Sequence, residues 1–276
     1  MARQKRIALI NDITGFGRCS VTVQLPIISA MHVQACPLPT AILSVHTGFP
    51  NHYLDDYTDR MRPYMGNWAA NKLDFDAILT GFLGSEAQID LVLECVRMFK
   101  TEDTRVIVDP VMGDNGKLYA SYTPALCAKM CQLLPHADVV TPNLTEACQL
   151  IDLPYPDDGL ISEAELDRMA AEIAAMGPRD VIITGLHAGK NVRTYLYADG
   201  VGCAFDNPKI GRDRSGSGDV FSAIVAAALV RGISLEEGVQ HAAGFIGHCL
   251  AYAEELDLPW NYGLPFEEFM GELTAL

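Results

Sequence analysis

Positive charge is scarce in this chain of 276 residues: 20 lysines and arginines stand against 35 aspartates and glutamates, a net charge of −15 at pH 7. A surface that acidic repels a phosphate backbone over its whole extent, which excludes nucleic acid as a partner. An anionic small molecule stays admissible where backbone N–H groups or a metal ion overcome the field locally. Long apolar runs are missing too. The longest, Val220 to Val230, falls well short of the ~20 residues that span a bilayer. At the N-terminus the basic stretch Met1 to Arg6 is followed only by Ile7 to Ile10 before Asn11 and Asp12, too short for a secretory core. The eight cysteines include no Cys-x-x-Cys pair, and no histidine stands at ligand spacing beside Cys127 and Cys131. Buried thiols in a reducing cytoplasm are therefore expected, and neither a disulfide framework nor a zinc site. There is no Gly-x-x-x-x-Gly-Lys-Ser/Thr phosphate loop and no Gly-x-Gly-x-x-Gly after the first strand. No repeat, low-complexity tract or linker divides the chain, so a single domain over 1–276 is expected.

What is present is an alternation of short β-branched runs and longer amphipathic ones. Strands are predicted at Ile7–Ile10, Val33–Cys36, Thr40–Val45, Ala77–Thr80, Arg105–Asp109, Asp138–Thr141 and Val181–Thr184. Helical spacing covers Cys19–Met31 (starting, bending or breaking near Pro26), Leu54–Lys72, Glu86–Phe99, Pro124–Leu134, Thr145–Ile151 and Glu163–Met176. Runs such as Val106-Ile-Val108 and Val181-Ile-Ile183 are apolar throughout, as expected of a parallel sheet with helices on both faces. The class is α/β. Val192–Tyr197 and Val201–Phe205 flank Ala-Asp-Gly and predict a hairpin ending the sheet. A polar loop over Asn207–Ser217 then leads to helices at Asp219–Arg231 and Leu235–Glu254.

The sharpest motif is Ser215-Gly-Ser-Gly-Asp219, directly ahead of an alanine-rich helix. Two glycines let backbone approach an anion, and the helix start aims N–H groups and its positive dipole end the same way. A carboxylate beside such an anion hole can accept a proton from an attacking hydroxyl while the N–H groups hold a transferring phosphoryl. The plain alternative is that Asp219 caps the helix. Asp109-Pro-Val-Met-Gly-Asp114 and Thr141-Pro-Asn143-Leu-Thr-Glu146 each follow a predicted strand, so both sit where open α/β sheets build their crevices. Asp109, Asp114, Asn143 and Glu146 supply hard oxygen donors suited to magnesium or its waters. Capping or surface roles account for any one of them alone.

These three motifs, in this order, resemble the ribokinase superfamily, and within it the vitamin-kinase branch, the pyridoxal/pyridoxamine kinases most of all. The likeness runs from the first strand through the helix after Asp219. It implies a ribokinase-like three-layer sandwich and transfer of the γ-phosphoryl of ATP to a hydroxymethyl group on a pyridine. By that resemblance Asp219 is the base, and the N–H groups of Gly216, Ser217 and Gly218 hold the phosphoryl. Asp114, Thr141, Asn143 and Glu146 place Mg2+ and ATP phosphates, with Asp109 beside them and Thr184, at a strand end, near the nucleotide. Asp114, Thr141 and Glu146 are the implied metal-side residues. A homodimer and a monovalent cation such as K+ are implied as well.

At the vitamin end the chain departs from its relatives. Asp12 stands where they commonly carry serine, and a carboxylate there could meet a ring nitrogen or ring hydroxyl, or simply cap a helix or turn a loop. His46-Thr47 matches a substrate-contacting pair, although His46 alone reads equally as an exposed loop residue. Phe82 replaces a common tyrosine, keeping the ring face without the hydroxyl, or reads as a buried phenylalanine of the core. Arg212 and Arg214, just before the glycine loop, read either as phosphate clamps or as solvated charges. Thr184 stands where some relatives have lysine. The expected activity is thus a B6-vitamer kinase, with a hydroxymethylpyrimidine kinase as the alternative. A non-catalytic vitamin or nucleotide sensor and a sugar kinase fit less well.

Overall fold

The computed structural model describes residues 3–276; Met1 and Ala2, which open the basic N-terminal stretch, lie outside the described residues. In chain order the elements are β1 (Arg6–Thr14), α1 (Val21–Ala30), β2 (Gln34–Leu43), β3 (Leu54–Asp56), α2 (Thr58–Ala70), β4 (Ala77–Thr80), α3 (Glu86–Phe99), β5 (Arg105–Val108), β6 (Gly113–Asp114), β7 (Lys117–Leu118) and α4 (Pro124–Met130). There follow β8 (Val139–Val140), α5 (Leu144–Leu150), α6 (Glu163–Ala175), β9 (Asp180–Ala188), β10 (Asn191–Ala198), β11 (Val201–Pro208), α7 (Ser217–Arg231), α8 (Leu235–Glu255) and α9 (Met270–Thr274). Nine strands form one sheet in the order β11-β10-β9-β8-β5-β4-β1-β2-β3. The six from β9 to β2 run parallel, with β3 antiparallel at one edge and β10–β11 antiparallel at the other.

Alternation along the strands feeds two cores. Ile7, Leu9, Leu79, Ile107 and Ile182 pack with α1, α7 and α8, whereas Ala8, Ile10, Ile78, Val106, Val108 and Ile183 face α3 to α6. Both faces are covered, and the strands read as unbroken apolar runs for that reason. From β1 the chain moves to β2 on one side, whereas β4, β5, β8 and β9 extend on the other. The strand order therefore reverses between β1 and β4, and at such a point the connections diverge and leave a crevice.

Several elements differ from the sequence-based expectation. The two strands predicted around 33–45 are one, β2, which runs through Pro37 and Pro39. Alternate residues present their N–H to the same edge, and along the outer edge β3 pairs only from Ala41 onward, so neither proline forfeits a ladder bond. The helix predicted over Leu54–Lys72 loses its first turn to β3, where Leu54–Asp56 pair with Ala41–Leu43. Pro26 lies inside α1, past its first turn, where its missing N–H forfeits the bond to the Thr22 carbonyl. The helix predicted to Leu134 tightens into a 3-10 turn at Cys131–His136, which contains Pro135. β1 and β9 extend beyond their predicted ends, so Asp12 lies within β1 and Thr184 in mid-strand. The predicted hairpin is present as β10–β11, with Asp199 and Gly200 both at positive φ in its turn. Among the described residues no helix is long and apolar enough to cross a membrane.

Arg214 fits neither expectation offered for it. It is buried, and its guanidinium donates to the carbonyls of Leu258 (2.9 Å), Pro259 (3.1 Å) and Ala253 (3.4 Å) and to the Glu254 carboxylate (2.9 Å). It ties the segment before the glycine loop to the end of α8. Arg212 is exposed. Arg214→Met should lower the unfolding free energy by about 2 kcal/mol, the scale for buried carbonyls losing a charged donor. Urea denaturation that gives wild-type stability would contradict this account.

Candidate active site

Asn11 and Asp12 occupy the C-terminal part of β1, at a register irregularity against β2 between Asn11 and Ile13. Irregularities of this kind often re-aim side chains beside functional sites. Across the crevice, Gly81 and Phe82 continue from β4. Phe82 is half-buried, its N–H donates to Asn11 Oδ1 (2.8 Å), and its carbonyl accepts from Thr40 Oγ1 (2.9 Å). Its ring meets Tyr122 edge to face at 6.1 Å. Phe82 is thus held through backbone and ring alike, its ring packed against the core on the α3 to α6 face.

The glycine loop closes the crevice from the other side of the sheet. Gly216 is the N-cap of α7 at φ 81°, and a Cβ there would run into the Arg18 carbonyl. Only glycine fits. Gly218 faces open space. The first helical bond runs from Val220 N to Gly216 O (2.9 Å), which leaves the N–H groups of Ser217, Gly218 and Asp219 without an intrahelical acceptor. Ser217 Oγ donates back to Arg214 O (2.9 Å) and pins the loop.

Asp219 does not cap its own helix. Its Oδ1 accepts from Asn11 Nδ2 (3.0 Å) and its Oδ2 from Ser20 N (2.7 Å). Ser20 adopts φ 60° and Arg18 φ 49°, a strained conformation for side-chain-bearing residues, here spent on aiming the Ser20 N–H. Burial pushes the Asp219 carboxyl up to about 6, and the nearby Asp12 charge adds to this against the two hydrogen bonds. Asp12 is buried and neither caps α1 nor turns a loop. It accepts from Thr14 Oγ1 (2.6 Å), and burial raises its pKa against the hydrogen bonds of Ser20 and Thr14.

Farther along the sheet edge, Asp109 and Glu146 are buried carboxylates with no cationic partner among the described residues; burial raises both, and the Asp109 charge adds to the rise at Glu146. Asp219 adds to the repulsion on Asp109. Glu146 accepts from Met112 N (3.0 Å) and Asn143 N (2.9 Å), and Asn143 completes the capping box of α5 while donating to Gly113 O (2.8 Å). Asn143 also bridges to Thr184, whose N–H donates to Pro142 O (2.9 Å). Thr184 therefore sits level with the ends of the parallel strands although β9 runs on. Asp114 is exposed and holds Asn115. Thr141 is buried, and its hydroxyl has no partner. Among the described residues, no three histidine, cysteine, aspartate or glutamate side chains form a ready metal cage. The unpartnered Thr141 hydroxyl and the uncompensated carboxylates nevertheless suit a cation completing its shell from water and phosphate.

His46 is committed elsewhere. Its Nδ1 accepts from Gly48 N (3.0 Å), its Nε2 donates to Asn261 O (2.8 Å), and it packs near Phe49 and Trp260. Nδ1 fixes the ring within the loop after β2 and Nε2 ties that loop to the C-terminal segment, leaving exposed Thr47 as the free member of the pair. Two residues escaped the sequence reading. Asn11 was visible only as a neighbour of Asp12. Tyr119, after β7, is partly exposed; desolvation first and then the charges of Glu146, Asp114, Asp109 and Asp219 raise its phenol, and nothing in its local sequence marks it.

Residues 25–261 match the family described as phosphomethylpyrimidine kinase. The chain belongs to that family. It is thus a phosphotransferase of the vitamin-kinase type acting on an alcohol group. A Bacteroides thetaiotaomicron protein, provisionally assigned as a phosphomethylpyrimidine kinase, is 34% identical with a TM-score of 0.95, covering 99% of this chain and 94% of that one. A second crystal form of that protein, with pyridoxal, gives a TM-score of 0.94 over 98% of this chain and 96% of that one. Pyridoxine kinase of Bacillus subtilis is 31% identical over 68% of each chain. The Arabidopsis thaliana thiamine biosynthetic bifunctional enzyme TH1 is 28% identical over 72% of this chain, which spans only 37% of that longer protein.

Gly216→Ala should cost about 1–2 kcal/mol from the left-handed backbone alone, with the Arg18 clash adding to it. Denaturation midpoints measure the loss, and an unchanged midpoint would show that the loop tolerates a side chain.

Proposed function

We propose that this chain is an ATP- and Mg2+-dependent kinase that phosphorylates the 5′-hydroxymethyl group of a B6 vitamer (pyridoxal, pyridoxamine or pyridoxine) for salvage of pyridoxal 5′-phosphate. The observation that carries the reading is the position of Asp219. A desolvated carboxylate, raised toward neutrality, stands at the start of an anion-binding helix and is joined through the Asn11 amide to the backbone of Phe82. With a pKa near 6 it is ionised at neutral pH yet basic enough to accept a proton as a hydroxymethyl oxygen attacks. The N–H groups of Gly216, Ser217 and Gly218 face the transferring phosphoryl, where fixed dipoles stabilise developing charge.

Mg2+ would neutralise phosphate charge, held by Asp114, Thr141 and Glu146, directly or through water. Asp109, Asn143 and Thr184 line the ATP side. At the vitamin end, Phe82 offers a ring face, Asp12 a carboxylate and Thr47 a hydroxyl, and His46 keeps their loop in place. The pyridoxal in crystals of the Bacteroides relative supports the B6 assignment. The resemblance extends the proposal to a cytoplasmic homodimer and to a monovalent cation such as K+.

The family match itself favours a second reading, a hydroxymethylpyrimidine kinase. The phosphate end serves both reactions identically, so discrimination rests on Asp12, Thr47 and Phe82. ADP release should be measured with each B6 vitamer and with hydroxymethylpyrimidine at equal concentration. Turnover of a vitamer well above the pyrimidine supports the first reading, the reverse order supports the second, and silence on all sinks both. Asp219→Asn should lower kcat by about 10²-fold or more while leaving ATP binding within a few-fold. In the wild type, kcat/KM should fall as pH drops through about 6, because protonation removes the base. A rate flat from pH 8 to pH 5 would remove Asp219 from the mechanism.

A further inference from the structure

We infer that Asn11 is a positioning residue that holds the Asp219 carboxylate in register with the ring wall at Gly81-Phe82. The inference rests on the reading of Asp219 as the base. A side-chain amide has two N–H donors and two acceptor lone pairs, and all four are engaged here. Asn11 Oδ1 accepts from Phe82 N (2.8 Å) and Asp12 N (2.9 Å), while Nδ2 donates to Asp219 Oδ1 (3.0 Å) and Gln24 Oε1 (2.9 Å). Backbone N–H groups can only donate, so the oxygen end must face them and the donor end must face Asp219. The orientation is dictated by chemistry.

The same logic runs on through the next shell. Gln24 spends its oxygen on Asn11 and turns its Nε2 to Ser222 Oγ (3.3 Å), whose hydroxyl donates to Asp219 O (3.4 Å). Asn11 and Gln24 are both fully buried. On the opposite side Gly81 closes against the amide, and any Cβ there would strike it. One planar group thus joins β1, the segment after β4, α1 and α7. It fixes the distance between base and wall, and so where a ring hydroxymethyl group meets the base. The other ionisable groups around Asp219 are Asp12 on β1, Cys19 before α1, Asp109 after β5 and Tyr119 after β7. None of the four donates a hydrogen bond to the Asp219 carboxylate.

Asn11→Ser and the isosteric Asn11→Asp test this in the full chain, assayed by ADP release with saturating pyridoxal, ATP and Mg2+. Asn11→Asp keeps both acceptor bonds, and hence the wall, while replacing the donor toward Asp219 with a like charge. Both variants should lose about 10²-fold in kcat, the scale of a misplaced reacting group, with KM for ATP within threefold. The loss should persist on the alkaline plateau, where Asp219 is ionised in every variant, and the acid limb should move to higher pH. In an Asp219→Asn background, Asn11→Ser should cost no more than about threefold further, because groups that act as a unit are not additive. A folded Asn11 variant with plateau kcat within twofold of wild type, beside an inactive Asp219→Asn, overturns this inference alone. An Asp219→Asn variant with the wild-type rate overturns the base reading and this inference with it.

Discussion

Three buried carboxylates, those of Asp12, Asp109 and Glu146, and the half-buried Asp219 lie along the C-terminal ends of the parallel strands, and no lysine or arginine pairs with any of them among the described residues. Such a cluster is costly in low dielectric, and proteins ordinarily neutralise buried acids with cations or hydrogen bonds. Here the compensation is almost wholly hydrogen bonding. Ser20 N and the Asn11 amide serve Asp219, Thr14 serves Asp12, and Met112 N and Asn143 N serve Glu146. Much else in the local backbone follows from this need, including the left-handed Ser20 and the glycine at position 81 that makes room for Asn11. The arrangement favours uptake of positive charge and holds one carboxylate close to its ionisation midpoint. Stability is given up where the proposed chemistry requires it.

The glycine loop and the loop after β2 are joined through the C-terminal segment. Arg214 binds the carbonyls at the end of α8 and at Leu258 and Pro259, and Ser215 Oγ donates to Gly17 O (3.1 Å). Arg18 reaches Tyr262 O (3.2 Å) and Glu267 (2.8 Å), and His46 meets Asn261 O. Phe16, Phe49 and Tyr262 pack together in the same region. A displacement of the segment around residues 258–263 would therefore act on both loops at once. The two arginine positions differ: Arg212 is exposed, whereas Arg214 is internal scaffolding that resembles a phosphate clamp only in sequence.

Most of the framework was legible because local and global preferences agree. α3 begins and ends where predicted, since Ser85 accepts from Gln88 N and caps an amphipathic run whose apolar side is buried. The apolar strands announced a two-sided core. Errors fell where tertiary pairing overruled local pattern. Leu54–Asp56 reads as the first turn of a helix, yet the open edge of β2 recruits it as a strand. Pro37 and Pro39 look like breaks, yet they lie on an edge that needs no donor. At the site, motif residues could be named from sequence because glycine and carboxylate spacing carries chemistry on its face. The roles of Asn11 and Arg214 could not be read, because they depend on which distant groups these side chains meet, and spacing along the chain does not encode that.

The acidity of the whole chain sharpens the demand on the phosphate end. A nucleoside triphosphate approaching a protein of net charge −15 and a local row of acids meets repulsion at both ranges. Three N–H groups at the start of α7 offset part of it, because a helix terminus carries only about half an elementary charge. No lysine stands at position 184, and Arg214 is spent on carbonyls and Glu254, so neither position supplies the remainder. In the proposed reading a divalent cation bound to the phosphates would supply it, with Thr141, Asp114 and Glu146 offering oxygen donors suited to its waters. The carboxylates that make the crevice costly would then be the same groups that make it selective for a metal-bound nucleotide over a free one.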